Sequence, residues 1–402
     1  MNGRKRIEAA LAHKEADYIP LDLGATESSG IHGIAYNRLK HHLGIKGGHT
    51  QIYDLSQLIS KVEPEILRAV GADAVPLLIE PHKWKPWRLQ DGSICEIPAG
   101  ANIRSDSREN MELVADDGTV VAVCPAGSYY FDTCYHALAD ASSPADIEKG
   151  IDHLRGFDWP SFCDEDYDDL NRKARHLYEK TDRAIVGNLW VHVFAAGQIL
   201  RGFENFMMDL LADKPLAHAL MGRLVDCYEE RVRKYVEAVG QYCTIIQVND
   251  DLGTQNGPQL APETYREMIK PYHARLWSLI KKFSGKPLLL HSCGSIYELI
   301  PDLIEIGIDA INPVQVRAAN MDTKKLKKEF GKDLVFWGGG CDTQQVLGNG
   351  TPAMVKDEVK RRCADLAPGG GFVFCQVHNI QPNVPPENIM AMYEAVGMVC
   401  GK

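Results

Sequence analysis

No C-x-x-C pair occurs in the 402 residues, although the chain holds 11 cysteines. That absence excludes a zinc ribbon and speaks against an iron–sulfur cluster. The cysteine count is odd and the chain is long, so the thiols are expected to be free or metal-bound in a reducing compartment rather than paired in disulfides. G-x-G-x-x-G is missing from the first βα turn, and G-x-x-x-x-G-K-[ST] is missing throughout. The GGG runs at 338–340 and 369–371 lack the strand–loop–helix spacing of a nucleotide fingerprint, and nucleotide binding is set aside. Runs of Lys and Arg are short and the formal net charge is −10, which makes nucleic acid an unexpected partner. Nothing approaches the ~18 consecutive apolar residues of a membrane span. The basic start at Met1 to Arg6 is not followed by an apolar stretch. No signal peptide is expected, and the expected location is the cytoplasm.

What is present is an ordinary globular mix, 45% hydrophobic and 24% charged. Short apolar runs alternate with helical stretches. YIPLDLG (18–24), DAVPLLI (73–79), AIVGNLW (184–190) and YCTIIQVNDD (242–251) read as four strands. KPLLLHSCG (286–294), DAINPVQV (309–316), DLVFWGGGCD (333–342) and GFVFCQVHN (371–379) read as four more. Helices are expected over 2–13, 30–44, 54–71, 143–154 (Ser143 as N-cap, Pro144 at N1) and 203–239. Eight near-continuous apolar runs in βα alternation call for a closed parallel sheet. The expected fold is therefore α/β, a single (β/α)8 TIM barrel over 1–402. Between 80 and 132 the rhythm breaks into short runs with turn signals at Asp91-Gly92 and Asp117-Gly118. That segment reads as an inserted β-hairpin region after strand two, a lid in the making.

In such a barrel the chemistry sits at the C-terminal strand ends. Strand four delivers Asn249, Asp250 and Asp251 there; strand five delivers His291 and Cys293; strand six delivers Asn312 and Gln315. Strand seven ends in Cys341 and Asp342, and strand eight carries Cys375, His378 and Gln381. His291 and Cys293 are two residues apart, so on an extended strand they share a face. An imidazole and a thiol converging at the mouth suit zinc, which takes three protein ligands in an open catalytic site. The third ligand is Cys341 or Cys375, or an oxygen of Asp250 or Asp251. Without a metal the same thiols are small core hydrophobes, as Cys95, Cys124, Cys134, Cys163, Cys227, Cys243, Cys363 and Cys400 are taken to be. Trp190, Asn249, Gln315 and Trp337 are candidate substrate contacts, with Trp84, Trp87, Tyr129, Tyr130 and Phe131 as further aromatics.

Four stretches carry a resemblance: DDLGTQNGPQLAPETYREMIKPY, HSCGSIYELIPDLIEIGIDAINPVQ, FWGGGCDTQQVLGNGTPAMVKDEV and GGGFVFCQVHNIQPNVPPENIMAMYEA. Together they resemble the uroporphyrinogen decarboxylase superfamily, and within it the corrinoid-dependent methyltransferase branch. That branch includes methylcobalamin:coenzyme M methyltransferases and the methyltransferase components of O-demethylases. The resemblance implies a (β/α)8 barrel with zinc held by a His-x-Cys pair and a later Cys; His291, Cys293 and Cys375 match it. Cys341 competes with Cys375, and His378 is close by. It also implies cobalamin supplied in trans by a corrinoid protein, since the chain shows no D-x-H-x-x-G-type signature. The decarboxylase branch grips its acidic substrate with an arginine-rich N-terminal loop, whereas IPLDLGATESSGIHG has no arginine. The expected function is methyl transfer between a small methylated substrate, a methoxylated aromatic, and that cobalamin. Asp250, Asp251 and His378 are the expected proton-handling groups. The alternative is a metal-free, uroporphyrinogen decarboxylase-like lyase.

Overall fold

The computed structural model describes residues 1–150 and 166–400. Strands are labelled in chain order. β1 (Ile52–Asp54) and β2 (Ile59–Ser60) form a small antiparallel pair. β3 (Ala74–Leu77) opens the main sheet. β4 (Trp84–Arg88) and β5 (Ile94–Pro98) form a hairpin, and β6 (Ile103–Ser105), β7 (Met111–Val114), β8 (Val120–Cys124) and β9 (Asp132–Thr133) form an antiparallel sheet. The main sheet continues through β10 (Ala184–Asn188), β11 (Ile245–Asn249), β12 (Leu288–His291), β13 (Ala310–Asn312), β14 (Val335–Trp337) and β15 (Phe372–Val373). β3 and β10 to β15 pair in chain order, every pair parallel, as a curled seven-stranded TIM-barrel-like sheet.

The sequence run 18–24 makes no regular strand, but it occupies the eighth place. Phe374 donates from its amide to Pro20 O (2.8 Å) and Asp22 N donates to Phe374 O (2.9 Å). On the other edge Asp73 N donates to Leu21 O (2.7 Å). Irregular chain thus satisfies both open edges, which would otherwise leave backbone groups unpaired.

Side chains of the parallel strands alternate between two cores, as the period of two requires. Val75, Ile185, Ile246, Leu288, Leu290, Ile311, Phe336 and Phe372 point out into the large cluster shared with the helices. Ala74, Ala184, Val186, Ile245, Leu289, Ala310, Val335, Trp337, Val373 and Cys375 point in. Ile7 and Ala10 of the first helix, Gly3–Leu11, join the inner set and plug one end of the barrel. One step further along the same inward rows stand Asn188, Gln247, His291 and Asn312. The barrel interior therefore changes from an apolar floor to a polar layer at its C-terminal mouth.

Three helix expectations need correction. Residues 54–63 are not helical: Leu58 adopts φ 53° and β2 follows, and the helix begins only at Pro64. Proline lacks an amide hydrogen and is tolerated at the first helical position, so the helix starts there rather than ten residues earlier. The helix expected over 143–154 runs Pro144–Lys149, and Ser143 makes no side-chain cap bond to the backbone. Its remaining expected residues, 151–154, and Cys163 lie outside the described residues. The region 203–239 divides into Phe203–Ala212 and Lys214–Val239, split at Asp213, whose side chain caps the second helix.

Candidate metal centre and pocket

β12 ends at His291, and Cys293 follows in the turn. His291 Nε2 stands 3.5 Å from Cys293 Sγ. The ligand atoms of His291, Cys293 and His378 all lie within 4.8 Å of one another, and no other such group of three occurs among the described residues. Tetrahedral zinc with ordinary bond lengths places a nitrogen and a sulfur ligand about 3.6 Å apart, so the donor set and the spacing fit the ion.

The ring orientations have a cause. His291 Nδ1 lies 2.9 Å from Asn312 Oδ1, and the Asn312 amide is fixed because its Nδ2 donates to Trp337 O (2.9 Å). His378 Nδ1 lies 3.0 Å from Asn379 Oδ1, while Asn379 Nδ2 donates to Gln57 Oε1 (2.6 Å). Each asparagine offers oxygen to Nδ1, so Nδ1 carries the hydrogen and Nε2 keeps its lone pair. A hydrogen-bonded partner on the far nitrogen is how proteins set the tautomer of a ligating histidine. Burial pushes His378 down to about 4, with the neighbouring His291 adding to it, so its imidazole is neutral at pH 7. Burial pushes the Cys293 thiol well above its ordinary value, and nearby Asp251 adds to that. A thiol so placed ionises against a cation.

The turn that carries Cys293 is tightly held. Cys293 N donates to Asp251 Oδ1 (2.8 Å) and Gly294 N donates to Gln315 Oε1 (2.8 Å). Gly294 sits at φ 82°, and a Cβ there would stand 2.4 Å from the backbone carbon of Gly253. Gln315 thus supports the turn that carries Cys293 and does not line the cavity.

Cys375 and Cys341, the thiols expected as third ligand, are not in the group. Cys375 is fully buried in the inward floor with Trp337, one layer below the mouth. The reason is strand parity: Val373 and Cys375 share the inward row at floor level, whereas His378 comes three residues later, after the chain has left β15. Cys341 is buried in the outer core among the helices. Trp337 is likewise a floor residue, its Nε1 donating to Asp22 Oδ2 (2.8 Å), and it does not reach the cavity.

A cavity of about 280 Å3 opens beside the group, lined among others by Glu27, Phe131, Trp190, Asn249, Asp250, Asp251, His291 and His378. That is the lower end of small-ligand sites. Phe131 and Thr133, from the antiparallel segment between β3 and β10, form part of its wall. The two aspartates differ sharply. Asp250 is buried, and its carboxylate accepts from the amides of Val193 (2.8 Å), Phe194 (2.8 Å) and Ala195 (2.6 Å) and from His273 Nε2 (2.8 Å). It caps the start of the helix Phe194–Arg201, where amide donors have no intrahelical partner. Burial pushes its pKa up, but the contacts with His273, His192 and the Ala195 amide outweigh that and hold it below the usual range. Asp251 keeps a half-exposed side chain, with Oδ1 3.7 Å from His291 Nε2.

Sequence reading missed Glu27. It is 7% exposed, lines the cavity, and accepts through Oε2 from Gln247 Nε2 (3.2 Å). Burial, with a contribution from Asp54, pushes its carboxyl above the ordinary range. The usable signal was a lone acid in the small-residue run GATESSG. Asn312 and Asn379 were likewise unassigned.

Residues 185–398, more than half of the chain, match the uroporphyrinogen decarboxylase (URO-D) family model. The chain belongs to this family. Its relatives there include a uroporphyrinogen decarboxylase of Anaeromyxobacter dehalogenans, 26% identical over 201 residues, covering 49% of this chain and 52% of that one. A methylated-thiol–coenzyme M methyltransferase of Methanosarcina mazei is 25% identical over 205 residues, 50% of each chain. The chain thus spans about half the length of the curated relatives it matches. Among solved structures, a methyltransferase from Methanosarcina mazei superposes with a TM-score of 0.59 over 99% of each chain at 18% identity, a likeness of fold. Among the described residues no helix is long and apolar enough to cross a membrane.

Proposed function

We propose that this URO-D family member is a zinc-dependent methyltransferase of the corrinoid-dependent branch, working in the cytoplasm on a small methoxylated aromatic. Its methyl acceptor is the cobalamin of a separate corrinoid protein. The observation that carries the reading is the triad of His291, Cys293 and His378, with both imidazoles turned by asparagines to present Nε2 beside one cavity. The methyltransferase relatives support it. Bound there, zinc supplies Lewis acidity that makes an ether oxygen a better leaving group.

The chain's own residues do the rest. Asn312 and Asn379 hold the two imidazoles in ligating orientation. Asp251 fixes the Cys293 amide and stands at the mouth, where it can hold a proton near the departing oxygen. Trp190 and Phe131 offer aromatic surface to a ring. Asp250 acts one step back by positioning the helix that brings Ala195 and Ile199 to the cavity. Decarboxylation of a porphyrinogen is the weaker reading. The stretch 19–33 has no arginine, and no Lys or Arg lines the cavity among the described residues to receive carboxylates.

The test is methylation of a reduced corrinoid protein, read by its absorption change, with a panel of methoxylated aromatics. Methylation that is lost in Cys293→Ser supports the proposal. No methylation across the panel, with carbon dioxide released from a uroporphyrinogen, refutes it.

A further inference from the structure

Resting on the methyl-transfer reading, we propose that the pocket selects its methyl donor by charge: it admits a donor that presents a hydroxyl or ammonium group to Glu27 and rejects one carrying a carboxylate or sulfonate. Glu27 Oε1 is buried and has no hydrogen-bond partner, although the residue lines the cavity and its Oε2 is engaged by Gln247. A buried acceptor left unmatched is costly unless a ligand meets it. Behind Glu27, off the cavity wall, Asp54 Oδ2, the Tyr53 hydroxyl and Gln247 Oε1 are buried and unpartnered too.

Among the described residues positive charge is scarce around it. Burial pushes His192 down, and the Arg231 guanidinium donates to the carbonyl of Trp190 (2.8 Å) rather than lining the cavity. A dication held at the His291–Cys293–His378 group would be balanced by the thiolate it makes of Cys293 and by the adjacent Asp251 carboxylate. An anionic donor therefore meets no counter-charge as it loses water, which is strongly unfavourable. A hydroxyl or ammonium finds an acceptor at Oε1, and the cavity wall includes the aromatic side chains of Trp190 and Phe131, a residue type whose ring faces attract cations.

Two measurements test this. The first titrates 4-methoxybenzylamine, 4-methoxybenzyl alcohol and 4-methoxybenzoate, which share ring and methoxy group and differ in charge, into the zinc-containing protein by calorimetry. The amine and alcohol should bind at least about tenfold tighter than the benzoate. In Glu27→Gln, which keeps the shape and removes the charge, the three should converge to within about threefold. The second uses chelator-treated protein and reads mixed-disulfide formation at Cys293 by peptide mass spectrometry. Cationic and anionic methanethiosulfonates of equal size are compared, each normalised to its rate with free cysteine. Cys293 attacks the reagent's divalent sulfur and methanesulfinate leaves, so the ratio reports local charge whatever the donor is. The cationic reagent should lead by about tenfold or more, and Glu27→Gln should shrink that ratio. If no methoxybenzyl compound binds while the labelling ratio holds, the donor class proposed above is wrong and charge selection stands. Equal or faster labelling by the anion, no labelling by either reagent, tighter binding of the benzoate, or a ratio unchanged in Glu27→Gln overturns the inference.

Discussion

Replacing Asp250 separates the structural aspartate from the one at the mouth. In Asp250→Ala, the amides of Val193, Phe194 and Ala195 and the Nε2 of His273 lose their acceptor at once. Each orphaned buried donor costs about 1–3 kcal/mol in isolation. The losses are not additive, because the helix end adjoins a cavity and can take up water. Breaking a buried charged contact of this kind costs about 3–5 kcal/mol, and that is the expected loss for Asp250→Ala. Asp250→Asn keeps one acceptor oxygen and should lose about half as much. Asp251→Ala, at a half-exposed position where only the bond from the Cys293 amide is lost, should cost about 0.5–1.5 kcal/mol. Urea denaturation followed by both far-UV circular dichroism and tryptophan fluorescence gives the values, with coincident transitions required. His273→Ala should cost at least about 1 kcal/mol less on the Asp250→Ala background than alone, since the two share one contact. The pH dependence has a definite sign. The folded Asp250 carboxyl titrates below its unfolded counterpart. Its stabilisation is therefore complete above the unfolded value near pH 4 and is lost as pH falls through the lower folded value. Asp250→Ala within about 1 kcal/mol of the parent, or additive with His273→Ala, refutes the capping argument.

Asp22 should behave oppositely. Burial raises its carboxyl from 3.8 to about 6, against the donated bond from Trp337. Between those values the unfolded chain ionises and the folded one does not, so stability falls as pH rises through that window, by about 3 kcal/mol in total. Asp22→Asn should flatten that part of the stability–pH curve relative to the parent, and an unchanged slope counts against it. Gly294→Ala forces a side chain into φ 82° and a 2.4 Å contact with Gly253. It should cost about 1–3 kcal/mol and weaken zinc retention; parent-like melting and metal content count against a strained turn.

The strands were legible because their apolar runs are short and bounded by Gly or polar residues, and because βα alternation leaves few topologies. Strand ends were legible for the same reason, and His291 and Cys293 do stand close, although Cys293 lies past the end of β12 in the turn rather than on the extended strand that parity assumes. Cys375, the third ligand that the resemblance implies, is not among the three converging side chains. Cys375 shares the inward row with Val373 and sits at floor level, and nothing in a one-dimensional pattern gives the height of a side chain inside a barrel. His378 reaches the mouth from irregular chain, where period arguments have no purchase. The helix over 54–71 was misread because its apolar spacing is compatible with two short strands, and only Pro64 marks the true start. Glu27 escaped notice because its significance lies in burial and in an unmatched oxygen, both properties of the fold.

Zinc K-edge X-ray absorption on the purified protein addresses the centre of the account. A metal held by His291, Cys293 and His378 gives one sulfur near ~2.3 Å and two imidazole nitrogens near ~2.0 Å, the remaining position being a light atom. The same spectrum is expected from Cys375→Ser, with zinc retained, whereas His378→Ala should lose the metal. Two sulfurs in the parent, loss of zinc from Cys375→Ser with retention in His378→Ala, or no zinc bound even after its addition contradicts the account.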